Sequence, residues 1–204
     1  IKLCLADRLG IYVDAVYSNI AHHNGTTLLL TSILYTIQIY ADFAGYSLMA
    51  IGCGRMLGIE LPENFCRPYF ARTVTDFWRR WHISLTTWFR DYIYFPLGGN
   101  RCSKARWAFN TIAVFTISGL WHGAAYTFVI WGAFHGLCMV VERLAYGNRI
   151  KAITNDINLV NTLRLILTFT IVNFAWVFFR ITNLPDVFLV FKKILTEHGS
   201  PFVD

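Results

Sequence analysis

Between Thr26 and Gly54 the chain carries a single charge, Asp42. About 20 apolar residues cross a bilayer core, so TTLLLTSILYTIQIYADFAGYSLMAIGCG predicts a transmembrane helix over 26–54, ended by Arg55 and Pro62. From Ala108 to Val141 no Asp, Glu, Lys or Arg occurs in 34 residues, too many for one comfortable span. Gly119 and Gly123 interrupt this run and predict paired membrane helices over 108–141, meeting near Trp121-His122-Gly123. Leu165 to Phe179 is apolar again, and with Arg164 and Arg180 snorkelling it predicts a span over 163–180. Val187 to Leu195 is short, ends in Lys192-Lys193 and is expected to lie at the periphery.

Residues 60–107 follow another rhythm. Val74, Trp78, Trp81, Leu85, Trp88 and Tyr92 recur at steps of 4, 3, 4, 3 and 4, the spacing of one amphipathic helix face. Thr73-x-x-Asp76 suits a capping box at its start, and Pro96-Leu-Gly-Gly ends it. Tryptophan on one face and arginine on the other describe a helix lying in the membrane interface. Residues 2–20 mix apolar positions with Lys2, Asp7, Arg8 and Asp14, as an amphipathic segment at the membrane surface does. His22-His23-Asn24-Gly25 reads as a turn; adjacent histidines point to different helix faces, which argues against a shared metal.

Composition strengthens the membrane assignment. Hydrophobic residues make up 55% of the 204, charged residues only 15%, and mean hydropathy is +0.45, whereas soluble domains carry about a quarter charged residues. The chain is expected to be an all-α integral membrane protein. Its net charge of +6 is unevenly distributed: residues 60–107 hold eight basic residues against four acidic ones. In a membrane protein such a cluster marks a cytoplasmic loop, and nucleic acid is not an expected partner. Arg143, Arg149 and Lys151 would return the chain to that side. Cys4, Cys53, Cys66, Cys102 and Cys138 show neither a CxxC pair nor Cys/His ligand spacing, so neither a disulfide framework nor a metal site is expected. The chain opens on Ile-Lys-Leu-Cys with no signal peptide, and is expected to be a fragment lacking N-terminal helices.

An ionisable group at membrane depth is costly unless it faces a cavity or a partner, so it is a functional candidate by default. Asp42 and His122 meet that criterion. A histidine hydrogen-bonded across a helix interface would also explain His122, and the residues alone leave the two readings balanced. His82 borders the tryptophan stripe and could face headgroups or a cavity. His135 lies 13 residues beyond His122 and is expected to be packing. Ser118, four residues before His122, suggests a Ser–His dyad, but no third orienting group stands nearby in sequence.

Three segments carry a resemblance: YADFAGYSLMAIG (40–52), LPENFCRPYFARTVTDFWRRWHISLTTWFRDYIYFPLGGNR (61–101) and GLWHGAAYTFVIWGAFHG (119–136). In this order and spacing they resemble the membrane-bound O-acyltransferase (MBOAT) family, from about Lys2 to Arg180 and most densely from Tyr40 to Gly136. The segment ending PLGGNR is more similar to the bacterial alginate O-acetyltransferase branch than to the teichoic-acid D-alanylation branch. The resemblance implies a multi-helix bundle crossed by a tunnel, with an amphipathic or re-entrant cytoplasmic-side region and residues 1–204 as the C-terminal part of one domain. It implies that His122 is the catalytic histidine and His82 the second histidine of the RWHISL motif.

The function so implied is acetyl transfer to hydroxyls of an exported polysaccharide, with His122 as general base. Gly119 and Gly123 would let backbone and substrate approach closely. His82 would bind or polarise the donor, or pass protons. Asp42 is carried as a supporting residue that orients a histidine or ties helices together, with Trp121 beside His122. Arg79, Arg80 and Arg90 could meet the phosphates of a CoA-type donor or, equally, anionic lipid headgroups. No bound cofactor or metal is expected; acetyl-CoA or another acyl thioester would arrive from the cytoplasm. The partners implied are membrane lipid and a glycan acceptor or a periplasmic acetyl-relay protein, and the expected location is the bacterial inner membrane, crossed several times. D-alanyl transfer to a cell-wall polymer is the alternative within the family, and a proton-coupled transporter the alternative outside it.

Overall fold

The computed structural model describes residues 1–147 and 158–201. Arg149 and Lys151, invoked above for sidedness, lie outside the described residues. Helices dominate, and among the described residues the only β pairing is an isolated bridge between Phe65 and Trp81. Among the described residues three helices are long and apolar enough to cross a membrane: Gly25–Met56 (α2), Tyr126–Tyr146 (α6) and Leu159–Arg180 (α7). The chain divides into two compact units, residues 1–62 with 176–204 and residues 63–175.

In the first unit, a π-helical turn (Lys2–Ala6) leads into α1 (Asp7–Tyr17), and both pack on α2 together with α8 (Leu184–Thr196). Asn24 caps α2 by accepting from Thr27 N at 2.9 Å. Within α2 the hydroxyls of Thr31, Ser32 and Thr36 donate to the carbonyls of Thr27, Leu29 and Ser32 at 2.8, 2.7 and 3.0 Å. The helix thereby satisfies these three hydroxyls itself. Asp42 accepts from the Lys2 ammonium, a pairing that ties the π-helical turn to α2. Two expected surface charges are engaged within this unit. Arg180 forms an exposed ion pair with Asp14. Lys193 is buried, donating to the carbonyls of Ala21 (2.8 Å) and His23 (2.9 Å) and pairing with Glu197 (3.1 Å).

The second unit holds Val74–Arg80 (α3), Ile83–Phe89 (α4), Lys104–His122 (α5), α6 and the first part of α7. The apolar run 108–141 does form two helices, α5 and α6, separated at Gly123–Ala125. They cross in backbone contact: a Cβ on Gly119 would stand 2.2 Å from the Phe128 carbonyl oxygen, and one on Gly132 2.2 Å from that of Phe115. Gly119 and Gly123 therefore serve helix packing, with α6 and the Phe128 ring occupying the space assigned above to substrate. Ahead of α5, Gly98 and Gly99 adopt φ of 101° and 54°, values that favour glycine. Buried Asn110 anchors that turn by donating to the Leu97 carbonyl at 2.9 Å.

The single amphipathic helix expected over 74–92 is broken. Trp81 is extended, and His82 takes a left-handed conformation at φ 44° before α4 begins. The cause lies outside the helix. Residues 64–66 run alongside the break: Cys66 N donates to the Arg80 carbonyl (3.0 Å), Ile83 N to that of Asn64 (3.1 Å), and Ser84 N to the Asn64 side chain (3.1 Å). Trp78 and Trp81 enter the protein core, whereas Trp88 and Tyr92 are exposed, so the stripe does not share one face. Thr73 caps α3 as expected, accepting from Asp76 N at 2.9 Å. The Asp76 carboxylate pairs with Arg80 at 2.9 Å.

Candidate active site

His122 ends α5, where Gly123 turns the chain toward α6. Its ring is flanked by Trp121 (centroids 4.9 Å apart, 77°) and Trp131 (5.4 Å, 88°). Trp121 is exposed and Trp131 fully buried, so His122 sits at the edge of an aromatic core. From Trp131 that core continues to His135 (5.2 Å) and Trp78 (5.6 Å), then to Phe77 (5.5 Å from Trp78) and Trp81 (5.5 Å from Phe77). Trp81 precedes His82. One packed column thus positions both histidine-bearing breaks, each edge-to-face pair adding on the order of 1 kcal/mol to area burial.

His82 is close enough to His122 to feel it. Burial pushes the His82 imidazole down to about 4, and neighbouring His122 pushes the same way. At neutral pH the ring is uncharged, available to accept a proton or a hydrogen bond. His135 is fully buried in α6, as the packing reading required, and neither ring nitrogen finds a hydrogen-bond partner among the described residues.

Beside this column lies a cavity of about 330 Å³ walled by α3, α4, α5 and α6. Trp107, Thr111, Val114 and Ser118 line it along one face of α5, a run of about 16 Å at 1.5 Å per residue. It is polarised along that run. At the Trp107 end stands Arg143, its guanidinium 5.7 Å from the indole. At the other end Ser118 lies one turn from His122. Neither His82 nor His122 lines the cavity.

Arg79 and Arg90 line the cavity, as a phosphate-binding role requires, while Arg80 is held along α3 by Asp76. Arg90 also pairs with Asp91 at 2.8 Å. The cavity gathers Arg143, which was read above only as a sidedness signal. Asp42 belongs to the first unit, where Lys2 engages it.

The sequence belongs to a known family. Residues 10–184 match the model of MBOAT, the membrane-bound O-acyltransferase family, and the chain is a member of that family. Over 197 residues it is 41% identical to "Probable alginate O-acetylase AlgI" of Pseudomonas aeruginosa, covering 96% of this chain and 36% of that protein. It is 40% identical over 198 residues to a peptidoglycan O-acetyltransferase of Helicobacter pylori, covering 97% and 37% respectively. With a teichoic acid D-alanyltransferase of Bacillus subtilis the identity is 37% over 128 residues, 59% of this chain and 32% of that protein. The chain thus spans little more than a third of the length of the O-acetylating relatives. It is a membrane protein of the O-acyltransferase family, built from apolar helices.

Proposed function

We propose that this chain supplies the catalytic part of an enzyme that transfers acetyl groups to hydroxyls of an exported polysaccharide in a bacterial inner membrane. The observation that carries the proposal is the cavity along α5, lined by Arg79, Arg90 and Arg143, with Arg143 at its Trp107 end and Ser118, a turn from His122, at the other. An acyl thioester of the acetyl-CoA type fits that polarity. Its phosphates would meet Arg143, Arg79 and Arg90, and its acyl end would point along α5 toward His122. In the reaction, His122 takes the proton of the acceptor hydroxyl as its oxygen attacks the thioester carbonyl. The tetrahedral adduct then collapses, the C–S bond breaks, and the thiolate leaves with the proton returned by the imidazolium. His82, neutral beside His122, would hydrogen-bond to the donor or shuttle that proton. The acceptor class rests on the match, over nearly all of this chain, to relatives named for alginate and peptidoglycan O-acetylation.

The test is ester-linked acetate on exported glycan, in cells lacking their own O-acetylation and expressing the complete protein. D-alanyl esters in place of acetate would move the proposal to the alternative acyl group; no ester of either kind would end it. If the cavity holds the donor, Arg143→Ala should raise the donor KM about tenfold with kcat little changed, as expected for loss of uniform binding. An unchanged KM would remove Arg143 from the donor site. Sidedness has its own check in Cys66 and Cys102, which lie on the basic segment facing the cytoplasm in this proposal. In a background without the other three cysteines, an impermeant thiol reagent outside intact cells should label neither. Labelling of Cys66, which is exposed, would invert the topology.

A further inference from the structure

Glu142 is the acidic residue that ends the uncharged run of α6. Its carboxylate reaches the start of α3. One carboxylate oxygen accepts from Val74 N at 2.5 Å; the other accepts from Thr75 N at 3.0 Å and from the Thr75 hydroxyl at 2.9 Å. Together with Thr73, which caps Asp76 N, it satisfies three of the amides that a helix start leaves without intrahelical partners. A carboxylate there also meets the positive end of the helix dipole. Seven residues make a helix too short to be stable alone. The position of α3 therefore depends on what holds its two ends: residues 64–66 at the His82 break and Glu142 at the start.

Both helices joined by this contact are walls of the cavity. Thr75, Trp78 and Arg79 come from α3, and Met139 and Arg143 from α6. Thr75 is shared, lining the cavity while its N–H and hydroxyl bind Glu142. We propose that Glu142 is a positioning residue, clamping α3 to α6 so that Arg79 and Arg143 keep the separation a phosphate-bearing acyl thioester needs. The proposal rests on the donor reading of the cavity. Glu142 touches neither donor nor acceptor and acts through α3.

Its test separates the two ideas. In the complete protein carrying His122→Gln, so that no turnover occurs, binding of a non-reactive CoA thioether is measured with and without Glu142→Gln. The glutamine keeps size and one acceptor oxygen, but loses the charge and turns an NH2 toward backbone donors. Affinity should fall about tenfold, and with His122 intact the donor KM should rise equally while kcat stays within about twofold. Amide exchange over residues 73–80 should accelerate, and Glu142→Asp should recover part of the loss. Tight binding by the parent that Glu142→Gln leaves within twofold overturns this proposal alone. So does a fall in kcat at unchanged KM. Failure of the parent to bind the thioether overturns the donor reading, and this proposal with it.

Discussion

His122→Gln abolishes ester formation while the protein remains in the membrane at the parental level: that is the largest effect expected from any side chain here. Glutamine nearly preserves the size and hydrogen-bonding reach of histidine but has no basicity at neutral pH. General-base catalysis contributes typically about 10²–10⁴-fold, so glycan-linked acetate should fall to background, and His122→Ala should match it. A histidine held only for structure would behave otherwise. The ring packs edge-to-face between Trp121 and Trp131, and a packing role would show as a lower melting temperature in detergent with activity per folded molecule retained. Substantial acetylation by His122→Gln would remove His122 as the base.

Gly132→Ala is expected to be among the most costly substitutions for stability. Its new Cβ would lie 2.2 Å from the Phe115 carbonyl oxygen and 3.2 Å from Gly119 N. Both obstacles are backbone, so the helices themselves must separate. Overpacking typically costs about 1–3 kcal/mol, and a backbone clash belongs at the upper end or beyond it. For a chain of this size that corresponds to a melting temperature lower by on the order of 10 °C. Gly52→Ala is the control: nothing lies within 4 Å of its Cβ, and alanine is the better helix former by about 1 kcal/mol. A detergent-solubilised sample followed by size-exclusion chromatography after heating reads both. Equal melting of the two variants would show that the α5–α6 crossing tolerates spreading.

Much of the architecture was legible because it is written in local pattern. The runs 26–54, 108–141 and 163–180 fall on the helices Gly25–Met56, α5 with α6, and Leu159–Arg180; of these, α5 is not among the helices long and apolar enough to cross a membrane. The break at Trp81-His82 was not legible. Its 3–4 spacing is continuous through the break, and what interrupts the helix is pairing with Asn64, Phe65 and Cys66, a contact no local pattern reports. Glu142 and Arg143 were hidden for a related reason: they read as the end of a span, and only the fold brings α3 against them. A signal did exist for the crossing of α5 and α6. Gly119-x-x-x-Gly123 and Gly132-x-x-x-Gly136 both have the small-residue spacing that lets membrane helices touch, although nearness to His122 drew the first pair into a substrate role. His122 was singled out as a candidate by depth and charge and His82 by its place beside the tryptophan stripe, while the catalytic role of each was implied by the family resemblance.

The hydroxyls of α2 bear on how the chain enters the bilayer during synthesis. Thr31, Ser32 and Thr36 each donate to a carbonyl three or four residues earlier in their own helix. A hydroxyl taken into hydrocarbon without a partner costs several kcal/mol; one already bonded within its own turn escapes most of that penalty before any other helix arrives. A translocation channel sampling this segment as a lone helix therefore meets a rod less polar than its residue list. Asparagine or glutamine at the same positions could not close that short bond so completely, and the segment would then depend on later helices to remain inserted.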